Sequence, residues 1–178
     1  MEEARARGIS LWLMPEGASR QPLDALIDGL AARLGTPRFP AHLTLLPGIE
    51  GRPGEVLPAA RSLAASLRPL TIPLESVEGR EEPFRCVIAR AALDEPLRAA
   101  HEAAARAFGR QPDPAFLPHV SLVYGSLAPG TKREAIRDVA TSARLAFEAA
   151  RLHVWQTEGT VADWLEIGAF DLGTGGRP

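Results

Sequence analysis

The sequence predicts an α+β fold built on antiparallel sheet, and three observations carry that prediction. Segments with helical periodicity alternate with β-like runs in the first half, in the order strand, helix, strand, helix, strand, strand. Neighbouring β-like runs are joined by short turns, which antiparallel pairs permit and parallel pairs do not. Two short runs, Ala41-His42-Leu43-Thr44-Leu45 and Pro118-His119-Val120-Ser121-Leu122, repeat one pattern of His, apolar, hydroxyl, apolar. That repeat suggests an internal duplication with one copy per half, although the rest of the sequence is not visibly repeated. No Gly-rich phosphate loop follows any strand, so a doubly wound nucleotide-binding fold lacks its anchor.

The elements follow in order. Ile9 to Met14 alternates as a strand, with Ile9, Leu11 and Leu13 on one face and Ser10, Trp12 and Met14 on the other. Leu23, Leu26, Ile27, Leu30, Ala31 and Leu34 form a helical apolar stripe, with Pro22 in the first turn and Gly35 and Pro37 past the end. The first motif strand runs over about residues 41–46, and Pro47-Gly48 is expected to turn the chain away. A second helix is predicted from about Glu55 to Leu67. Leu70 to Val77 and Phe84 to Arg90 read as two strands joined by a charged turn, with Phe84, Cys86 and Ile88 on one face. Asp94 is a good N-cap for a helix carrying Leu97, His101, Ala104 and Phe108 inward, which Gly109 ends. A proline-stiffened loop leads into the second motif strand, closed by Tyr124-Gly125. Thr131-Lys132-Arg133-Glu134 reads as a capping box opening a helix with Ile136 and Val139 inward. Two late strands, about 145–155 and 161–170, flank a turn near Glu158-Gly159.

Composition bounds the function. The chain has 178 residues, 20 basic against 22 acidic, and a net charge of −2. That balance argues against a surface that grips long nucleic acid through many phosphates, but leaves room for a small anionic ligand. Cys86 is the one cysteine, so it packs as a small hydrophobe and neither a disulfide framework nor a multi-cysteine metal site is available. The charged start, Met1 to Arg7, followed by a short apolar run, reads as neither a signal peptide nor a membrane span. A cytoplasmic protein is the expectation. No sequence feature sets the oligomeric state, and a monomer is expected.

The motifs carry the chemistry. On a strand, His42 and Thr44 point one way while Leu43 and Leu45 point the other, and His119 and Ser121 pair likewise. Two imidazoles that titrate near neutrality can serve as one base and one acid. Hydroxyls two residues along can donate to a non-bridging phosphate oxygen, a contact that strengthens as charge builds in the transition state. The set therefore fits phosphodiester cleavage without a metal.

The motifs with their flanks, Phe39-Pro40-Ala41-His42-Leu43-Thr44-Leu45 and Phe116-Leu117-Pro118-His119-Val120-Ser121-Leu122-Val123-Tyr124-Gly125, resemble the 2H phosphoesterase superfamily. Within it, the short chain, the Ser-Leu-Trp start and the Tyr-Gly ending most resemble the plant and yeast type of cyclic nucleotide phosphodiesterase. The resemblance spans Trp12 to the late strands. It implies one domain over residues 1–178, made of two pseudo-symmetric antiparallel-sheet lobes with flanking helices around a central cleft. It also implies hydrolysis of a nucleoside 2′,3′-cyclic phosphate or ADP-ribose 1″,2″-cyclic phosphate, with no cofactor. His42 and His119 would be the acid/base pair, with His119 as base and His42 as acid for ring opening by water. Thr44 and Ser121 would hold the phosphate and Tyr124 would line the pocket. Ser121 replaces the threonine of many relatives but keeps the hydroxyl.

Other residues carry competing readings. Trp12 and Phe84 are candidates to stack a base, against an ordinary core role. His101 reads as a half-buried structural histidine and His153 as a solvated or sheet-packing one. Arg80 and Arg85 can supply positive charge, although charged turns are usually just solvated. Two alternatives stand beside the small-molecule enzyme. One is RNA 2′,3′-cyclic end processing of the 2′-5′ RNA ligase kind, which predicts a basic rim. The other is a non-catalytic nucleotide-binding module, which would not need two proton-transfer groups. A metal site ranks last, since no Asp, Glu or Cys nearby completes a ligand set.

Overall fold

The computed structural model describes residues 5–173, so Met1 to Ala4 of the charged start lie outside the described residues. Eight strands form one antiparallel sheet in the order β6-β3-β4-β5-β2-β1-β7-β8. They are β1 (Ile9–Leu13), β2 (Leu43–Ile49), β3 (Leu70–Gly79), β4 (Val87–Ala91), β5 (His119–Val123), β6 (Ala146–Ala149), β7 (Arg151–Gln156) and β8 (Leu165–Asp171). Four helices accompany them: α1 (Arg20–Leu34), α2 (Pro53–Ser66), α3 (Glu95–Ala107) and α4 (Pro129–Val139). The expected α+β class with antiparallel pairing is what the chain adopts. Among the described residues no helix is long and apolar enough to cross a membrane.

The sheet curls because one stretch of chain serves both of its ends. Residues 145–155, expected as a single strand, divide at Ala150. The first part, β6, pairs with β3, while the second, β7, pairs with β1 and β8. Backbone bonds tie the junction, Glu16 N donating to Glu148 O (3.1 Å) and Leu172 N to Ala150 O (2.8 Å).

The motif strands β2 and β5 are neighbours at the middle of the sheet, meeting through one registered pair, Leu43 with Val120. Continued one residue each way, that antiparallel register sets His42 opposite Ser121 and Thr44 opposite His119. The alternation of β1 explains why all five of its residues are buried. Leu11 and Leu13 join Leu43, Leu45, Val120 and Leu122 in the apolar core. Ser10 and Trp12 turn to the opposite face, towards a cleft. α1 covers β5 and α3 covers β2, so each motif strand is backed by a helix from the other half of the chain.

Several local expectations are corrected. Pro47-Gly48 does not end β2. The partner of Ile9 is Ile49 and that of Leu11 is Leu46, so β2 carries an extra residue there, and Gly48 adopts φ 62°. A proline that cannot donate and a glycine that tolerates positive φ make a bulge rather than a turn. Phe84 lies on a 3₁₀ turn (Pro83–Arg85), and β4 starts only at Val87. α4 opens at Pro129 after Ala128, ahead of the expected capping box, because proline suits the first helical position. The Asp94 cap holds, its carboxylate accepting from Leu97 N at 3.0 Å.

Candidate functional site

The cleft on the face opposite the helices encloses about 290 Å³. The structure gathers in it all seven residues singled out from the sequence: His42, Thr44, His119, Ser121, Tyr124, Trp12 and Phe84. Two matched backbone contacts set the rings. His42 Nδ1 lies 2.7 Å from the carbonyl of Pro40, and His119 Nδ1 lies 2.7 Å from that of Leu117. A carbonyl only accepts, so each Nδ1 carries the hydrogen, and Nε2 is the nitrogen left for chemistry.

Burial sets the charge of these rings. It pushes the His42 imidazole down to about 4, against the Pro40 bond that favours charge, and His119 opposes a second cation. Burial also lowers His119, which is only partly buried, and the charges of Arg85 and Arg80 add to that effect while Glu82 counters it. Both rings are therefore neutral near pH 7 when the cleft is empty.

Tyr124 follows β5, and its hydroxyl lies 3.3 Å from His42 Nε2. With the His42 hydrogen on Nδ1, Tyr124 is the donor in this contact. Burial raises the Tyr124 phenol, so it stays protonated for that role. Its ring stacks on Phe39 (centroids 3.7 Å apart) and meets Phe84 edge-on.

Of the two readings open for Trp12, base platform or core, its surroundings favour the packed one. Only 1 % of it is exposed, and its ring lies against His42 (3.6 Å, 11°) and Trp155 (4.6 Å, 22°). It has no open face for a base and instead fixes the plane of the His42 ring. Phe84 is half-buried on the cleft wall, tilted against Trp164 at 5.8 Å. Ser121 donates its hydroxyl to the Phe84 carbonyl at 2.8 Å, so in the empty cleft it fastens the Pro83–Arg85 turn to β5. Among the described residues Thr44 has no counterpart of that bond. It stands beside Trp12, its partner across β1 and β2.

The contributors to the cleft not picked out from the sequence include Trp164, Ser10 and Thr157. Ser10 and Thr157 bond to each other at 3.0 Å. Ser10 shares the alternating face of Trp12, which was a usable signal, whereas Trp164 and Thr157 reach the cleft only because β7 and β8 pack beside β1. Arg85, weighed as a solvated turn charge, lies on the rim.

The remaining histidines are structural. His101 is fully buried rather than half-buried. It bonds through Nδ1 to the Leu45 carbonyl (2.9 Å), accepts from Asp113 N (3.2 Å) and stacks on Phe116 (3.8 Å). His153 is buried against Glu166, 2.8 Å from its Nδ1. Cys86 is buried, as expected of a small hydrophobe. Among the described residues no group of three or more His, Cys, Asp or Glu gathers as a metal-binding set.

A curled antiparallel sheet with two His-x-hydroxyl strands at its centre defines a 2H-type phosphoesterase fold, and comparison with known proteins agrees. The family model of the 2′-5′ RNA ligase superfamily matches residues 15–161, and the chain belongs to that family. The chain is 24 % identical over 179 residues to the cyclic phosphodiesterase of Arabidopsis thaliana, covering 97 % of this chain and 99 % of the relative. The structure of E. coli LigT complexed with ATP is similar at a TM-score of 0.58 and 10 % identity, covering 96 % of this chain and 99 % of LigT. A Thermus thermophilus protein, TT0787, is similar at a TM-score of 0.56 and 19 % identity, covering 95 % of this chain and 99 % of its own. These structural likenesses show the fold. Family membership supports an enzyme of phosphodiester chemistry, hydrolysis or ligation.

Proposed function

We propose that the protein hydrolyses a small cyclic phosphodiester, a nucleoside 2′,3′-cyclic phosphate or ADP-ribose 1″,2″-cyclic phosphate, to a phosphomonoester by a two-histidine, metal-independent mechanism. The observation that carries this reading is the matched clamp on His42 and His119. Each Nδ1 is tied to the carbonyl two residues before it, and both rings line one cleft beside Thr44. In ring opening, His119 Nε2 takes a proton from a water attacking phosphorus, and His42 Nε2–H delivers one to the departing ribose oxygen. The Thr44 hydroxyl donates to a non-bridging oxygen, and Ser121 can join it by turning from the Phe84 carbonyl. Because burial keeps His42 neutral in the empty cleft, its acid proton arrives together with the anionic substrate, whose charge favours an imidazolium.

The relative from Arabidopsis thaliana, named a cyclic phosphodiesterase, supports the substrate class. The cleft supports a small substrate over an RNA end, since among the described residues Arg85 is the single lysine or arginine lining it. The test is a panel of 2′,3′-cyclic nucleotides, ADP-ribose 1″,2″-cyclic phosphate and RNA with a 2′,3′-cyclic end, assayed with strong chelator present. Turnover of the small compounds with chelator is expected. Activity confined to RNA, or abolished by chelator and restored by a divalent ion, contradicts this reading.

A further inference from the structure

An anionic phosphodiester entering this cleft meets little positive charge. The two histidines are neutral near pH 7, and Glu82 on the rim is an acid. Among the described residues that line the cleft, Arg85 alone carries a fixed positive charge. We propose that Arg85 is the phosphoryl-binding cation of the site, its guanidinium closing on a non-bridging oxygen of the scissile phosphate from the side of His119 and Ser121. The inference rests on the functional reading above and deepens it.

The backbone holds Arg85 where this role needs it. The turn that carries Arg85 is fastened to the second motif segment at the two residues before it. Gly125 N donates to the Pro83 carbonyl at 2.7 Å, and Ser121 Oγ donates to the Phe84 carbonyl at 2.8 Å. Arg85 N closes the turn by donating to the Glu82 carbonyl at 2.9 Å. Arg85 is thus one peptide away from the atom that receives the motif hydroxyl.

The guanidinium is also uncommitted. On the same hairpin, Arg80 and Arg90 are both engaged by Glu78, at 3.0 and 3.5 Å. Arg85, exposed at the rim, makes no ion pair among the described residues. Its charge reaches His119, opposing an imidazolium there along with Arg80, while Glu82 favours one. A planar five-donor fork suits a phosphate with two free oxygens, and a charge-assisted bond of this kind is stronger than a neutral one.

The experiment compares wild type, Arg85→Gln and Arg85→Lys, each checked for folding by thermal melting. It uses 2′,3′-cyclic AMP as substrate and inorganic phosphate as the binding probe. Arg85→Gln is expected to raise both KM and the phosphate Kd by about tenfold to a hundredfold, the scale of a lost charged hydrogen bond. Arg85→Lys should recover much of that loss. In the empty cleft, the His119 ring followed by NMR should titrate at higher pH in Arg85→Gln than in wild type or Arg85→Lys, a change that a purely structural role would not produce. An active wild type whose Arg85→Gln variant binds phosphate and substrate equally well overturns the role of Arg85 alone. A wild type inert towards every cyclic phosphodiester overturns the functional reading, and the role of Arg85 falls with it.

Discussion

His42 is held by three neighbours and by its burial, each through different physics. The Pro40 carbonyl fixes its tautomer, Trp12 fixes the ring plane, Tyr124 donates to Nε2, and the surrounding burial disfavours charge. The last of these has a consequence for stability. The ring titrates near 6.5 when unfolded and at about 4 when folded. Above pH 6.5 it is neutral in both states and its burial carries no protonation penalty. As pH falls towards 4 the unfolded chain takes up a proton that the folded chain refuses, so stability is lost through that window, by about 3 kcal/mol. His119 acts in the same direction. Urea unfolding of wild type and His42→Gln between pH 7 and pH 4 checks this, since the variant should lose less stability on acidification. A stability gap between the two that stays constant with pH would contradict it.

At the scale of elements, the hairpin from β3 to β4 governs the open side of the cleft. Its turn is anchored from below by Lys132 of α4, whose side chain is largely buried. Lys132 Nζ donates to the Arg80 carbonyl (2.6 Å) and to Glu81 Oε1 (2.8 Å). Gly79 makes room for this, since a Cβ there would lie 2.9 Å from Lys132 Cδ. Lys132→Met should leave the histidine pair in place while loosening the turn that carries Phe84 and Arg85. Steady-state kinetics should therefore show a raised KM, by several-fold, with kcat nearly unchanged. An equal fall of kcat and kcat/KM would instead place Lys132 in the chemical step. None of this was legible in the sequence, where Lys132 read as part of a capping box. The helix opens earlier, at Pro129, and Lys132 is buried in its first turn on the same face as Val139.

For the molecule as a whole, the sequence disclosed what depends on local pattern. The order of strands and helices, the alternation that aims His42 with Thr44 and His119 with Ser121, and the Asp94 cap all follow from spacing along the chain. What it hid depends on distant pairing. The run from Leu145 to Trp155 has one continuous β-like pattern, yet its halves satisfy two ends of a curled sheet, and no local signal marks Ala150 as the break. Trp12 stayed open between a base platform and a core role because nothing in the sequence places Trp155 and His42 against its ring. The duplication read from the motifs remains our proposal, supported by the equal 2.7 Å clamps on the two histidines.

Charge at the scale of the whole site yields another expected outcome. Both free-enzyme histidines titrate below 6.5, and the proposed mechanism needs one of them neutral and one charged. The profile of kcat/KM should be bell-shaped with its maximum on the acid side of pH 6.5. Binding of a phosphomonoester product at pH 7 should take up about one proton, because the bound anion restores an imidazolium that burial had suppressed. Calorimetry in two buffers of different ionisation enthalpy reads this directly. Equal heats in both buffers would count against it.

The central claim is that His42 and His119 act as one proton-transfer unit on a phosphodiester. Its most direct test is single-turnover kinetics on a 2′,3′-cyclic nucleotide with chelator present, comparing wild type, His42→Ala, His119→Ala and the double variant, all confirmed as folded. Each single replacement should slow turnover by roughly a hundredfold to ten-thousandfold, the usual scale for positioned proton transfer. The double variant should be little slower than the slower single one, since removing either member disables the pair. Folded single variants that turn over at close to the wild-type rate would contradict the account.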